Sequence, residues 1–73
     1  MSTKNQVTVA NVNGERRSFR AQTTLLDVVH TLNLEPERVA IELNRAIVKR
    51  EMWSRTTIEA DAEIEIVQFV GGG

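Results

Sequence analysis

At 73 residues the chain has room for one small domain and no second core, because a chain this short buries only roughly 60% of its unfolded surface. It contains no cysteine, which excludes a disulfide framework, a thiolate nucleophile and cysteine-ligated zinc. A net charge of -1, with Lys and Arg spread from Lys4 to Arg55, gives no electrostatic footprint for nucleic acid.

No apolar run approaches the roughly 20 residues of a membrane helix. The start, Met1-Ser2-Thr3-Lys4-Asn5-Gln6, lacks the apolar segment of a secretory signal, so the expected compartment is the cytoplasm and no membrane partner is expected. A hydrophobic content of 41% suits a folded domain.

From Gln6 to Ala10 apolar and polar residues alternate, with Val7 and Val9 on one side and Thr8 on the other, the period of a half-buried strand. Asn11, Val12, Asn13 and Gly14 form a turn-rich cluster whose Asn-Gly supplies the positive φ angles of a tight hairpin. A second strand runs from about Glu15 to Arg20, anchored by Phe19.

The period changes at Thr24. Leu25, Val28, Val29 and Leu32 fall at i, i+3, i+4 and i+7, one stripe on a helix. Thr24 and Asp27 resemble a capping box, and Asp27 suits the positive end of the helix dipole. Asn33 tolerates the left-handed conformation of a helix end, and Pro36 prevents continuation.

Alternation returns over Val39 to Leu43, with apolar odd positions. Asn44 and Arg45 turn the chain into Ala46, Ile47 and Val48. An irregular stretch holding Met52 and Trp53 follows, and a last strand runs from Ile64 to Phe69. The order strand, strand, helix, strand, strand, strand predicts an α+β roll, a mixed sheet of four to five strands with one main helix across one face. This is the β-grasp, or ubiquitin-like, fold. The predicted organisation is a single domain over residues 1–70 and a flexible tail over 71–73.

The chain ends Val70-Gly71-Gly72-Gly73. Glycines add nothing to a core and lose the most backbone entropy on ordering, so a mobile end is expected. Without Cβ atoms such a tail can thread a narrow channel, and at full extension the stretch from Val70 to Gly73 reaches about 13 Å. A terminal carboxylate is ionised at pH 7 and can attack the α-phosphate of ATP; a sulfur nucleophile displacing AMP then leaves a thiocarboxylate. A Gly-rich end alone is weakly specific, and it gains weight from what precedes it.

The segment from Val39 to Gly73 resembles the ThiS family of sulfur carriers in thiamin biosynthesis. The stretches that carry the resemblance are Val39-Ala40-Ile41-Glu42-Leu43-Asn44-Arg45, Ile47-Val48-Lys49-Arg50 with Trp53 after it, and Glu63-Ile64-Glu65-Ile66-Val67-Gln68-Phe69-Val70-Gly71-Gly72-Gly73. Their order, running directly into the glycines, makes the combined signal specific. Two departures stand in turns: the family commonly has proline where Lys49 stands, and Asp-Gly-Asp in place of Asp61-Ala62-Glu63.

The resemblance implies a carrier and not an enzyme. Gly73 is then the modified residue, behind Gly71 and Gly72. The implied partners are an E1-like adenylyltransferase of the ThiF type using ATP and magnesium, a cysteine desulfurase as sulfur source, and thiazole synthase as acceptor. ATP and metal belong to the activating partner, since nothing here resembles a phosphate-binding loop.

In the last strand Ile64 and Ile66 share one face, and Glu65, Val67 and Phe69 the other. If the helix covers the first face, Val67 and Phe69, with Val70, form a docking patch beside the tail; a twist or bulge would instead turn one of them into the core. Trp53 is expected in the core. His30 is expected to be a solvated helix residue, since it lacks the companions of a metal or catalytic site. Arg16, Arg17 and Arg20 form one basic cluster, and Arg45, Lys49, Arg50 and Arg55 another.

The alternatives are a carrier serving molybdopterin or another sulfurated product, and, from another class, a ubiquitin-like protein modifier or interaction module. The Glu42-Leu43-Asn44-Arg45 stretch and Trp53 favour thiamin. An autonomous enzyme fits worst, for want of a nucleophile and base pair or a metal cluster.

Overall fold

The Asn-Gly dipeptide forms the turn its chemistry dictates. In the computed structural model, which describes residues 6–69, strand β1 (Val7–Val12) pairs antiparallel with β2 (Glu15–Arg20) through a two-residue turn at Asn13 and Gly14. Both turn residues have positive φ, 52° and 84°, as the hairpin turn matching strand twist requires. Asn44 and Arg45, at φ 51° and 75°, repeat the device between β3 (Val39–Leu43) and β4 (Ala46–Val48).

Helix α1 (Leu25–Thr31) is opened by a complete capping box: the Asp27 N–H donates to Thr24 Oγ1 at 3.1 Å, and the Thr24 N–H donates to Asp27 Oδ2 at 3.0 Å. Asn33 closes it at φ 61°, with the Leu34 N–H donating to the Val29 carbonyl at 3.0 Å. This satisfies carbonyls that a helix end otherwise leaves unpaired.

The final strand, β5 (Glu63–Gln68), enters the middle of the sheet, giving the order β2-β1-β5-β3-β4. It runs parallel to β1 and antiparallel to β3. The sheet is therefore mixed and five-stranded, and the fold is the β-grasp that the order of elements predicts. The described residues share one core: Ala10, Val12, Phe19, Val39, Ile41, Ile64 and Ile66 from the sheet meet Leu25, Val28 and Val29 from α1, with Trp53 and Ile58 from the connection before β5.

Two readings from the sequence need correction. Alternation along β1 leaves its core-facing side unassigned, and that side is not the one bearing Val7 and Val9. Ala10 and Val12 are buried, whereas Val7 is 60% exposed. Directly opposite residues share a face, and Thr8 lies opposite Phe19; once Phe19 enters the core, Thr8, Ala10 and Val12 must face the same way. Asn11 and Val12 accordingly belong to β1 and not to the turn.

The stretch around Met52 and Trp53 is also not irregular. It forms a 3-10 helix, Arg50–Arg55, that turns Trp53 inward to 1% exposure, where its indole N–H donates to the Val48 carbonyl at 2.8 Å. A second 3-10 turn, Pro36–Arg38, begins at the residue that forbids continuation of α1.

Candidate functional site

β5 places the candidate residues. Its alternation sends Ile64 and Ile66 into the core at 0% and 8% exposure, and leaves Val67 and Phe69 at 59% and 53%. The register explains why no bulge intervenes: Val67 lies opposite Ala40, and Ile66 opposite the buried Ile41. Of the two readings left open by the sequence, the exposed one is the one found.

The patch extends beyond β5. Ile47, opposite Glu42 on β4, is 76% exposed, and a concavity of about 300 Å³ is lined by Ala40, Ile47, Lys49, Arg50 and Phe69 among others. Three large apolar side chains and Ala40 thus lie on the sheet face opposite α1. Exposed apolar groups gathered in this way mark contact surfaces more often than isolated ones do. Their flank is acidic, since Glu42 and Glu65 stand directly opposite each other. Like charges so placed disfavour the sheet slightly, and neither is in an ion pair among the described residues.

The end of β5 is held from both sides. Toward β3, pairing continues to Val39 opposite Gln68, and the Phe69 N–H donates to the Arg38 carbonyl at 2.7 Å. Toward β1, the Asn13 side chain makes two bonds to the backbone of Ile66. At the start of the strand, Asn44 Oδ1 accepts from the Glu63 N–H at 2.9 Å. Sequence reasoning placed both asparagines in turns and missed these grips. The available signal was that Asn, with its carboxamide, opens both turns.

Several residues of the two basic clusters have partners of their own. Arg16 pairs with Asp61 at 3.1 Å and Arg17 with Glu15 at 3.7 Å. Arg45 and Lys49 stand at opposite ends of β4. Arg50 lies over the Trp53 ring at 5.5 Å and donates from Nε to the Pro36 carbonyl at 2.9 Å. Trp53 belongs to the core, as expected, and His30 is exposed in the last turn of α1. No helix among the described residues is long and apolar enough to cross a membrane. Val70, Gly71, Gly72 and Gly73 lie outside the described residues.

The model of the ThiS family matches residues 7–73. A thiazole synthase of Magnetococcus marinus is 40% identical over 63 residues, a match covering 86% of this chain and 19% of that protein. The chain thus spans about a fifth of that relative, and 19% of a second thiazole synthase, from Paramagnetospirillum magneticum. The sulfur carrier protein ThiS of Bacillus subtilis is 33% identical over 63 residues, with 85% of this chain and 96% of that protein covered. The crystal structure of the thiamine biosynthesis protein ThiS from Geobacter metallireducens superposes with a TM-score of 0.75 at 28% identity, covering 90% of this chain and all of that one.

Proposed function

The chain belongs to the ThiS family, and from that premise we propose that it is a sulfur carrier, acted on by partner enzymes, whose terminal glycine delivers sulfur to the thiazole ring of thiamin. The observation that carries this reading is the exposed apolar pair at the end of the central strand, Val67 and Phe69, which Val70 and the three glycines follow directly in the sequence.

In this reading the patch docks an E1-like adenylyltransferase of the ThiF type in the cytoplasm, and Gly71 and Gly72 thread its active site. The Gly73 carboxylate attacks the α-phosphate of ATP, which magnesium on the partner helps to neutralise. Pyrophosphate leaves and an acyl-adenylate forms. Hydrosulfide, released by a thiol reductant (which becomes a disulfide) from the persulfide that a cysteine desulfurase forms, attacks the acyl carbon; AMP departs and the sulfur loses its proton to solvent. The product is a thiocarboxylate at Gly73. Activation is needed because direct attack on a carboxylate would have to expel oxide, whereas AMP is a competent leaving group.

Thiazole synthase is the acceptor in this reading. Support comes from the relatives in which a similar segment forms part of a longer protein named thiazole synthase, and from the ThiS of Bacillus subtilis. Growth of a deletion strain tests the assignment. Growth restored by the thiazole precursor or by thiamin is the expected result, and a defect that neither relieves would transfer the carrier to another sulfurated product.

A further inference from the structure

β1 stops too early to support the end of β5. In the parallel ladder the Asn11 N–H donates to the Ala62 carbonyl and the Asn13 N–H to the Ile64 carbonyl, each at 2.8 Å. The next rungs would join the carbonyl of residue 13 to the Ile66 N–H, and the N–H of residue 15 to the Ile66 carbonyl. The chain has by then turned away at Asn13 and Gly14, both at positive φ.

The Asn13 carboxamide supplies the missing peptide group. Its Oδ1 accepts from the Ile66 N–H at 2.7 Å, and its Nδ2 donates to the Ile66 carbonyl at 3.3 Å. One side chain thus extends β1 past its own hairpin turn. Residue 13 must satisfy two demands at once, since asparagine tolerates the left-handed backbone and also presents a donor and an acceptor in one plane, as a peptide does.

The geometry points to Asn13 as a positioning residue for the activation of Gly73, a step that rests on the reading under Proposed function. It fixes the backbone of Ile66, and so the line along which the chain passes through Val67 and Phe69 toward residues 70–73. Adenylation requires the terminal carboxylate to meet the α-phosphate in line, and misplacement originating far from the reacting atoms lowers turnover steeply. Docking depends on the apolar face, whereas this clamp holds the end of β5 on its β1 side, as the Phe69 N–H bond to the Arg38 carbonyl does on its β3 side.

The test compares Asn13→Gly and Asn44→Gly with the wild-type chain. Glycine keeps each turn, because it adopts positive φ freely, and each variant loses only its grip on β5. Amide hydrogen exchange and ATP-dependent pyrophosphate release with a ThiF-type adenylyltransferase are the readouts. Asn13→Gly is expected to speed exchange at Ile66 about tenfold, the weight of one ordinary hydrogen bond. It should lower kcat about tenfold with little change in the KM for the carrier. Asn44→Gly, which loses the side-chain bond to the Glu63 N–H at the far end of the strand and keeps the backbone bond to the Glu63 carbonyl, should leave kcat unchanged, and Asn13→Asp, which keeps the acceptor, should fall between wild type and Asn13→Gly.

Unchanged exchange at Ile66, unchanged kcat in Asn13→Gly, or equal loss of kcat in the two glycine variants each overturns the assignment. A wild-type chain that releases no pyrophosphate overturns the functional reading together with it, which separates the two failures.

Discussion

Replacing Val67 and Phe69 together with serine separates docking from folding. Phe69 is 53% exposed and Val67 59%. An aromatic side chain buries roughly 200 Å² when fully covered, so a partner closing over the open half of Phe69 removes about 100 Å² from water. At about 25 cal/mol per Å² that is about 2.5 kcal/mol, and the open part of a valine adds about 1 kcal/mol. Neighbouring contributions fall short of their sum, so the expected loss is about 2 kcal/mol, roughly 30-fold in Kd. The cost to folding is expected to stay near 1 kcal/mol, because neither side chain is in the core. Calorimetric titration against the adenylyltransferase gives the first number and thermal unfolding by circular dichroism the second. A folded double variant that binds as tightly as wild type would refute docking through this face, and a variant that does not fold would show these side chains to be structural.

Three further substitutions test the reasoning about the fold. Arg45→Gly relieves a left-handed arginine at φ 75°, a strain of about 1–2 kcal/mol offset in part by the entropy of glycine. A rise in Tm is expected; a fall would mean that the arginine side chain outweighs the strain. Lys49→Pro installs the residue common in the family where the backbone already has φ -65° and ψ 145° and where Val48 before it is extended, as a residue preceding proline must be. Stabilisation of about 0.4–1 kcal/mol is expected in denaturant unfolding. Trp53→Ala empties a site only 1% exposed and leaves the Val48 carbonyl without its indole partner. Such truncations cost about 3–5 kcal/mol, enough to unfold much of a domain this small, and a cooperative transition within a few degrees of wild type would contradict the core assignment.

What the sequence disclosed follows from how local the signals were. The turns at Asn13-Gly14 and Asn44-Arg45, the capping box of Thr24 and Asp27, and the stripe of Leu25, Val28, Val29 and Leu32 all lie within a few residues, and each formed where it was read. The face of β1 was not local. Val7 and Val9 alternate as well as Ala10 and Val12 do, so period alone could not choose between them, and the choice was made by Phe19 across the hairpin. The 3-10 helix Arg50–Arg55 repeats no pattern long enough to read, being organised around the burial of Trp53.

The candidate site divides along the same line. Exposure of Val67 and Phe69 was legible from alternation once a helix was assigned to the opposite face. The grip of Asn13 on Ile66 joins residues 53 positions apart, and that of Asn44 on Glu63 spans 19. No window along the chain could display either contact. The two departures from the family pattern are benign in this structure: Lys49 adopts a backbone that proline shares, and Ala62 is buried, while the positive φ of that turn falls on Asp61.

Sulfur delivery turns on the last atoms of the chain. Intact mass spectrometry of the full chain, after incubation with a ThiF-type adenylyltransferase, ATP, magnesium and a sulfide source, reads them directly. The expected result is a mass gain equal to one sulfur in place of one oxygen, located at Gly73 by fragmentation and lost when Gly72 and Gly73 are deleted. A chain that stays unmodified beside an active partner, or one still modified after that deletion, would contradict it.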